Sequence, residues 1–350
     1  MKLVELKYSK ATIDKAGEKL KEKKLESSAL NYSMEILSNW RAYHVMPLDT
    51  FAKVLKKRVK KIDVKNNAIV AQRLKRTPSI LLKLTTHRTM RLSTMQDIGG
   101  LRAIFDTVKE VYDLVELYRK SQTKHHLHAT DDYINSPKVD GYRGVHLVYK
   151  LEKEPKIFLE IQVRSYLQHI WATGVEVFGT LKNSSFKSGY GSKKWLDFFC
   201  LLSSIFAIKE NTPVVDKHKG LRKEEILSKA KDLIKELQVI EQLNVYTEVY
   251  RVTTAQYKKA KKGRKGSYNL LILNSKDNTI SVKTFSSENI VDATLAYMQE
   301  EMKYYKNKNI NVVLVNTGDI RKLEVSYPNY FMDTNMLVKI LSSISLDRYI

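Results

Sequence analysis

Cysteine is almost missing from this chain: Cys200 is the single one in 350 residues. That excludes an intrachain disulfide framework and a cysteine-built zinc site, and it fits a reducing, cytoplasmic setting. No apolar run approaches the roughly 18–20 residues that a spanning helix needs. The N-terminal Met1-Lys-Leu-Val-Glu-Leu-Lys lacks a signal-peptide core, so no membrane partner is expected. Acidic side chains are in deficit, 38 against 61 lysines and arginines, which leaves a net charge of +23. A surface so basic attracts polyanions and points to nucleic acid. Three familiar signatures are also absent: the Gly-x-x-x-x-Gly-Lys phosphate loop, the kinase Asp-Phe-Gly and the zinc-binding His-Glu-x-x-His.

What is present divides the chain into three. Residues 1–62 read as helical, with Leu30, Met34, Leu37 and Trp40 at helical spacing and an interruption at Pro47. In the run that follows, Phe51, Val54, Leu55, Val59 and Ile62 make one face. Lys53, Lys56, Lys57, Arg58, Lys60 and Lys61 make the other, which suits either a solvated surface or a phosphate backbone. Residues 63–241 alternate strand and helix patterns. Strands are expected at 68–71, 101–105, 144–151 and 156–163, and helices at 108–121, from 166, at 192–209 and at 222–240. Histidines at 125, 126 and 128 fall on an extended, partly exposed segment. Residues 242–350 shift to a small α+β pattern. Strand-like runs lie at 245–253, 268–273, 279–284 and 310–315, a basic hairpin tip at 258–265, and a final helix from Asn335. The expected fold class is α+β: a mixed sheet with flanking helices, followed by a small C-terminal α+β domain.

The chemistry-bearing residues fall at regular intervals in the middle segment. Arg73 and Lys75 lie at a strand end. Thr77 suits a helix N-cap and Pro78 its first turn, with Ser79 and Lys83 following, a place to hold an anion. Asp97 precedes a strand at a Gly99-Gly100 turn, and Arg102 follows it. Lys138 and Tyr142 sit in a loop before the strand bearing His146, and Glu160 and Gln162 on the next. A carboxylate pair, Asp97 with Glu160, could hold Mg²⁺ against nucleotide phosphates. Phosphoryl-type transfer needs little more than positioning and charge neutralisation.

These motifs together carry a resemblance. Arg73-x-Lys75-x-x-x-Ser79-Ile80-x-x-Lys83, Asp97-Ile-Gly-Gly-Leu-Arg102, Asp132-Tyr-Ile-x-x-Pro-Lys138-x-x-Gly-Tyr142-Arg-Gly-Val-His146 and Glu160-Ile-Gln162-Val-Arg164 resemble the RelA/SpoT alarmone synthetase domain. The resemblance implies transfer of pyrophosphate from ATP to a ribose 3′-hydroxyl. It implies that Arg73 and Arg102 bracket the adenine, and that Lys75, Ser79 and Lys83 hold phosphates. Asp97 and Glu160 would bind Mg²⁺, and Glu160 or Gln162 would assist the attacking hydroxyl. Tyr142 would stack on the acceptor base, with Lys138 and His146 beside it. Two departures stand out: Gly144 occupies a position where serine is common in the family, and no His-Asp dipeptide of a hydrolase motif occurs. Some small members of the family modify the 3′-CCA end of tRNA instead of GDP or GTP. The basic charge and the residues Lys56, Lys57, Arg58, Lys60 and Lys61 favour that branch. Finally, Tyr327-Pro-Asn-Tyr330 resembles the tail of fused toxin–antitoxin proteins of the CapRel type. There a pseudo-zinc-finger domain covers the ATP site until a phage protein releases it.

Overall fold

Alternation of apolar and polar positions sets the central sheet. In a computed structural model of the chain, β1 (Ile69–Leu74), β2 (Gly99–Phe105), β3 (His126–Asp132), β4 (Val145–Lys150) and β5 (Phe158–Ser165) form one sheet in the order β1-β2-β5-β4-β3. β2 and β5 run parallel and the other neighbours antiparallel, the mixed sheet expected from the sequence. The structure describes residues 5–22, 26–121, 125–152, 155–181, 191–244, 267–274, 279–286, 289–304, 309–317 and 334–349, with Asp277 and Asn307.

One face of the sheet is apolar. Leu101 and Ala103 of β2, Leu159, Ile161 and Val163 of β5, and Val145, Leu147 and Tyr149 of β4 are all buried there. Two helices cover it, α3 (Val45–Ile62) and α5 (Val108–Arg119). Thr107 and Glu110 form a reciprocal capping box that starts α5. Gly99 and Gly100 are not a turn, as expected, but the first two residues of β2. The reason is steric: a Cβ on Gly99 would lie 2.5 Å from Cδ2 of Leu159 on β5. β1 also ends three residues later than expected, at Leu74, so Arg73 sits within the sheet.

Helices α1 (Lys10–Lys19) and α2 (Ser27–Tyr43) complete the N-terminal helical region. Pro47 does not break a helix. It occupies the third position of α3, where no intrahelical N–H bond is required. Between α2 and α3 lies His44, fully buried. Its Nδ1 bonds the Trp40 carbonyl, and burial, helped by neighbouring Arg41, lowers its pKa to about 4. An imidazole held neutral in the fold takes up a proton more readily once unfolded. Its contribution is therefore whole above about pH 6.5 and lost as pH falls towards 4, about 1.4 kcal/mol per pH unit. Denaturation midpoints should fall over that interval, and His44→Gln should flatten the dependence. An equal slope in the variant would refute the assignment.

After β5, helices α6 (Tyr166–Leu181), α7 (Lys193–Lys209) and α8 (Lys223–Glu236) build a second apolar core. His169 is buried on α6. Cys200 is buried in α7, as its apolar surroundings imply. The last part of the chain gives a three-stranded antiparallel sheet, β6 (Ser267–Asn274), β7 (Thr279–Phe285) and β8 (Ile310–Thr317), in the order β7-β6-β8. It carries α9 (Ile290–Tyr304) and is followed by α10 (Asn335–Ser345). Tyr268, Leu270, Ile290, Tyr297 and Leu314 join the same core as the five-stranded sheet. Helix α10 instead packs with α6, α7 and α8 through Leu337, Ile340, Leu341 and Ile344. Residues 242–350 therefore touch both cores. Among the described residues, no helix is long and apolar enough to cross a membrane.

The join at α9 is ionic. Arg41 of α2 is 1% exposed and Glu301 of α9 is 5% exposed, and they pair at 2.5 Å. Arg41 also donates to Tyr297 Oη at 2.7 Å, to Thr77 Oγ1 at 2.8 Å and to the Lys75 carbonyl at 3.1 Å. Burial works against the guanidinium, but Glu301 and Tyr297 outweigh it and raise its pKa.

Candidate active site

The polar face of the five-stranded sheet is built by register. Across β1, β2, β5 and β4, the pairs Arg73–Gly100, Gly100–Glu160 and Glu160–Val148 make one row. The next is Ala71–Arg102, Arg102–Gln162, Gln162–His146 and, on β3, His146–Asp131. Residues separated by two along a strand share a face, so all the polar members of both rows point the same way. Six expected site residues, Arg73, Lys75, Asp97, Arg102, Glu160 and Gln162, line one cleft that is open to solvent.

Helix α4 (Thr77–Thr86) borders this cleft. Thr77 is not its N-cap. Arg76 takes that place, Thr77 and Pro78 open the helix, and the Thr77 amide donates to Glu301 Oε1 at 2.8 Å. A carboxylate from α9 thus occupies the positive end of the helix. Lys83, one turn beyond Ser79, reaches Asp97 Oδ1 at 3.0 Å, and Lys75 reaches Oδ2 at 2.7 Å. Burial pushes the Asp97 carboxyl up, but these two lysines outweigh it and leave it below the ordinary value. Burial also lowers Lys75. Ser79 is half-buried on α4 and does not line the cleft.

On the other side of the cleft five side chains close a hydrogen-bonded ring. His146 Nδ1 meets Glu160 Oε1 at 2.8 Å, and His146 Nε2 meets the Tyr142 hydroxyl at 2.5 Å. Arg164 Nη2 donates to that hydroxyl and to Gln162 Oε1, both at 2.8 Å, and Gln162 Nε2 donates to Glu160 Oε2 at 2.7 Å. Burial opposes the Glu160 charge, yet His146 and Gln162 bring its pKa down to about 2. Burial likewise opposes charge on His146, but Tyr142 and Glu160 raise it to about 9. Burial raises the Tyr142 phenol, and Arg164 and His146 more than reverse this, to about 8. Gln162 is thereby fixed at both ends, as an orienting group for Glu160.

The loop before β4 is bolted to α7. Gly141 has φ +93°, and a Cβ there would lie 2.9 Å from that of Ser203. Ser203 Oγ donates to the Gly141 carbonyl and accepts from Arg143 Nε, and Cys200 Sγ bonds the Val139 carbonyl. This holds Tyr142 against Trp171 and places Lys138 Nζ 4.3 Å from the Tyr133 ring and 5.3 Å from that of Tyr142. Gly144 is explained too: it has φ +144°, and a Cβ would lie 3.1 Å from Arg164 Cγ. A serine there would be strained.

Sequence reasoning missed Tyr133, whose ring lies 5.3 Å from that of His146, and the Arg41–Glu301 pair. It also overreached at Arg58, which is half-buried over the Tyr118 ring at 4.0 Å and donates to Ser121. Lys56, Lys57, Lys60 and Lys61 are exposed. They belong to α3, on the sheet face opposite the cleft. Tyr327, Tyr330 and the basic tip at 258–265 lie outside the described residues.

Glu160 lies close enough to Asp97 to disfavour its charge, yet both carboxyls are held below their ordinary values, Asp97 by Lys75 and Lys83 and Glu160 by His146, Gln162 and Lys83. Two carboxylates beside a cationic cleft suit Mg²⁺, which binds through one or two carboxylates plus substrate phosphates. No group of three or more His, Cys, Asp or Glu that could hold a metal occurs among the described residues. A family model described as "Region found in RelA / SpoT proteins" matches residues 72–184. Residues 72–184 are thus similar to a RelA/SpoT region. They run from within β1 past the end of α6 and contain all six cleft-lining residues named above. Among curated relatives, "GTP pyrophosphokinase YwaC" of Bacillus subtilis is 28% identical over 84 residues, 23% of this chain and 40% of that protein. "Probable GTP diphosphokinase RSH3, chloroplastic" of Arabidopsis thaliana is 31% identical over 123 residues, 35% of this chain and 16% of that one. The chain thus spans less than half the length of these relatives. Among solved structures, the small alarmone synthetase 1 from Bacillus subtilis bound to its product pppGpp is 23% identical. The match covers 47% of this chain and 88% of that one, with a TM-score of 0.40.

Proposed function

We propose that this chain is an ATP-dependent pyrophosphokinase. The observation that carries the proposal is the convergence of Asp97 and Glu160, at the same end of two adjacent parallel strands, with Arg73, Lys75 and Arg102 in one cleft. Lys83 joins them through Asp97. Arg73 and Arg102 flank the adenine, and Lys75 and Lys83 exchange Asp97 for phosphate oxygens. Asp97 and Glu160 hold Mg²⁺, which would neutralise charge on the phosphates. The acceptor's 3′-oxygen attacks the β-phosphorus of ATP. The bond from that phosphorus to the α–β bridging oxygen breaks, AMP leaves with the electron pair, and the hydroxyl proton passes to Glu160 or to water beside it. Gln162 and His146 orient Glu160, and the Tyr142 ring carries the acceptor base with Lys138 alongside.

The acceptor we favour is the tRNA 3′-CCA end, because a net charge of +23 exceeds what a mononucleotide requires. In that reading the chain blocks translation as an anti-phage toxin. Residues 242–350 act as its restraint, and a phage protein acts as the trigger, as the resemblance to CapRel-type proteins implies. The second reading, (p)ppGpp synthesis from GDP or GTP or the equivalent product from adenine nucleotides, is favoured by the names of the relatives. Incubation with β-phosphate-labelled ATP and either deacylated tRNA or guanine nucleotide separates them. Labelled guanine nucleotide with unlabelled tRNA would sink the tRNA reading and the toxin role with it.

Tyr142 has two separable parts, a ring and a bonded hydroxyl. Tyr142→Phe should keep acceptor KM within a few-fold and lower kcat about tenfold, because the hydroxyl's bonds to His146 and Arg164 are lost. Tyr142→Ala should raise acceptor KM about tenfold or more by removing the stacking surface. Indistinguishable kcat in the phenylalanine variant would show that the ring alone matters.

A further inference from the structure

The polar sheet face continues beyond the metal-binding row. His126 pairs with Lys150 across β3 and β4, and Lys150 pairs with Phe158 across β4 and β5. Phe158 stands two residues before Glu160, so this third row shares the cleft face, about 7 Å further along β5. A bulge between Leu127 and Ala129 brings His128 into the row. Its ring centroid lies 5.1 Å from that of Phe158 and 6.4 Å from that of His126. Lys150 Nζ lies 6.0 Å from the Phe158 ring centroid. His126 and His128 are exposed, and Phe158 and Lys150 half-buried.

The position of this row says what it meets. The groups suited to ATP lie on β1, β2 and α4, whereas β5, β4 and β3 carry the acceptor side. Tyr142 contacts His146, and the new row is at Lys150, four residues or about 13 Å along β4. A single nucleoside seated on Tyr142 and reaching Glu160 leaves it uncovered. We propose that His126, His128, Lys150 and Phe158 form a stacking platform for unpaired bases of a single-stranded RNA whose 3′-terminal nucleotide enters the acceptor side of the cleft. Planar rings interleaved with a cation on an open sheet bind such strands with little sequence preference. The chain's excess of positive charge supplies the long-range attraction. This deepens the function proposed above and rests on its polynucleotide acceptor.

The test is fluorescence anisotropy of the full chain with a fluorescein-labelled, mixed-sequence single-stranded oligoribonucleotide of about 12 nucleotides. ATP binding and pyrophosphate transfer are measured on the same preparations. Phe158→Ala and His128→Ala should lower the ratio of oligonucleotide to ATP affinity about tenfold, and Lys150→Ala should reduce the salt slope by about one. Phe158→Leu keeps apolar volume but no ring, so it should show the same loss without disturbing the fold. An unmodified protein that does not bind the oligonucleotide, or Phe158 and His128 variants with an unchanged ratio, would overturn the platform. Ring-dependent binding without transfer to any acceptor would instead support the platform and overturn the pyrophosphokinase reading.

Discussion

Asp97→Asn is expected to lower pyrophosphate transfer by about three orders of magnitude while ATP still binds. The substitution keeps shape and removes charge. It takes away one of the two carboxylates that face each other across the cleft, and a metal's stabilisation of the transferring group is worth several kcal/mol. Lys75 and Lys83 remain and lose their common partner, so the phosphates of ATP meet two freed ammonium groups. Affinity for metal-free ATP should therefore stay within a few-fold of the unmodified protein or improve. Equilibrium binding with a labelled ATP analogue, beside a transfer assay with Mg²⁺, checks both halves. Retained transfer would remove Asp97 from the metal site. Lost ATP binding in a folded variant would show that Asp97 serves only to order the lysines.

Glu301→Ala should cost about 3–5 kcal/mol of stability, the usual result of leaving one member of a buried ion pair without its partner. Against a total of about 5–15 kcal/mol, that is a large fraction. Arg41 would keep Tyr297 and Thr77 Oγ1 but lose its countercharge, and the Thr77 amide at the start of α4 would lose its acceptor. Glu301→Gln retains an acceptor for that amide and should cost less. Arg41→Met with Glu301→Leu should recover much of the loss, since an apolar pair leaves no buried charge behind. Chemical denaturation measures all three. A loss under about 1 kcal/mol in Glu301→Ala would mean that α9 is held by its apolar contacts alone.

The same pair shows where sequence reading stops. Arg41 and Glu301 lie 260 positions apart, and nothing local distinguishes either from the many other charged residues of this chain. The cleft was legible because its members alternate along strands: Arg73, Arg102, Glu160 and Gln162 fall on one face once β2 and β5 pair in parallel. Gly99 and Gly100 misled because glycine signals both turns and close approach, and here close approach to Leu159 decides. Arg58 misled for a related reason. A guanidinium at a basic helical position fits solvent or an aromatic face equally well, and Tyr118 comes from a distant helix. The ring through Tyr142, His146, Glu160, Gln162 and Arg164 was only partly visible. Tyr142, His146, Glu160 and Gln162 are candidates in the sequence, but Arg164 has no role there, and their mutual bonds depend on how the β4 end meets β5.

In the proposed reaction this cleft moves a pyrophosphate group as one unit. The direct measurement follows the adenine product with the full chain, Mg²⁺, ATP and an acceptor, by anion-exchange separation. AMP should appear in step with acceptor carrying both the β- and γ-phosphates, and Asp97→Asn should yield neither. ADP as the matching product, or AMP without a modified acceptor, would contradict it.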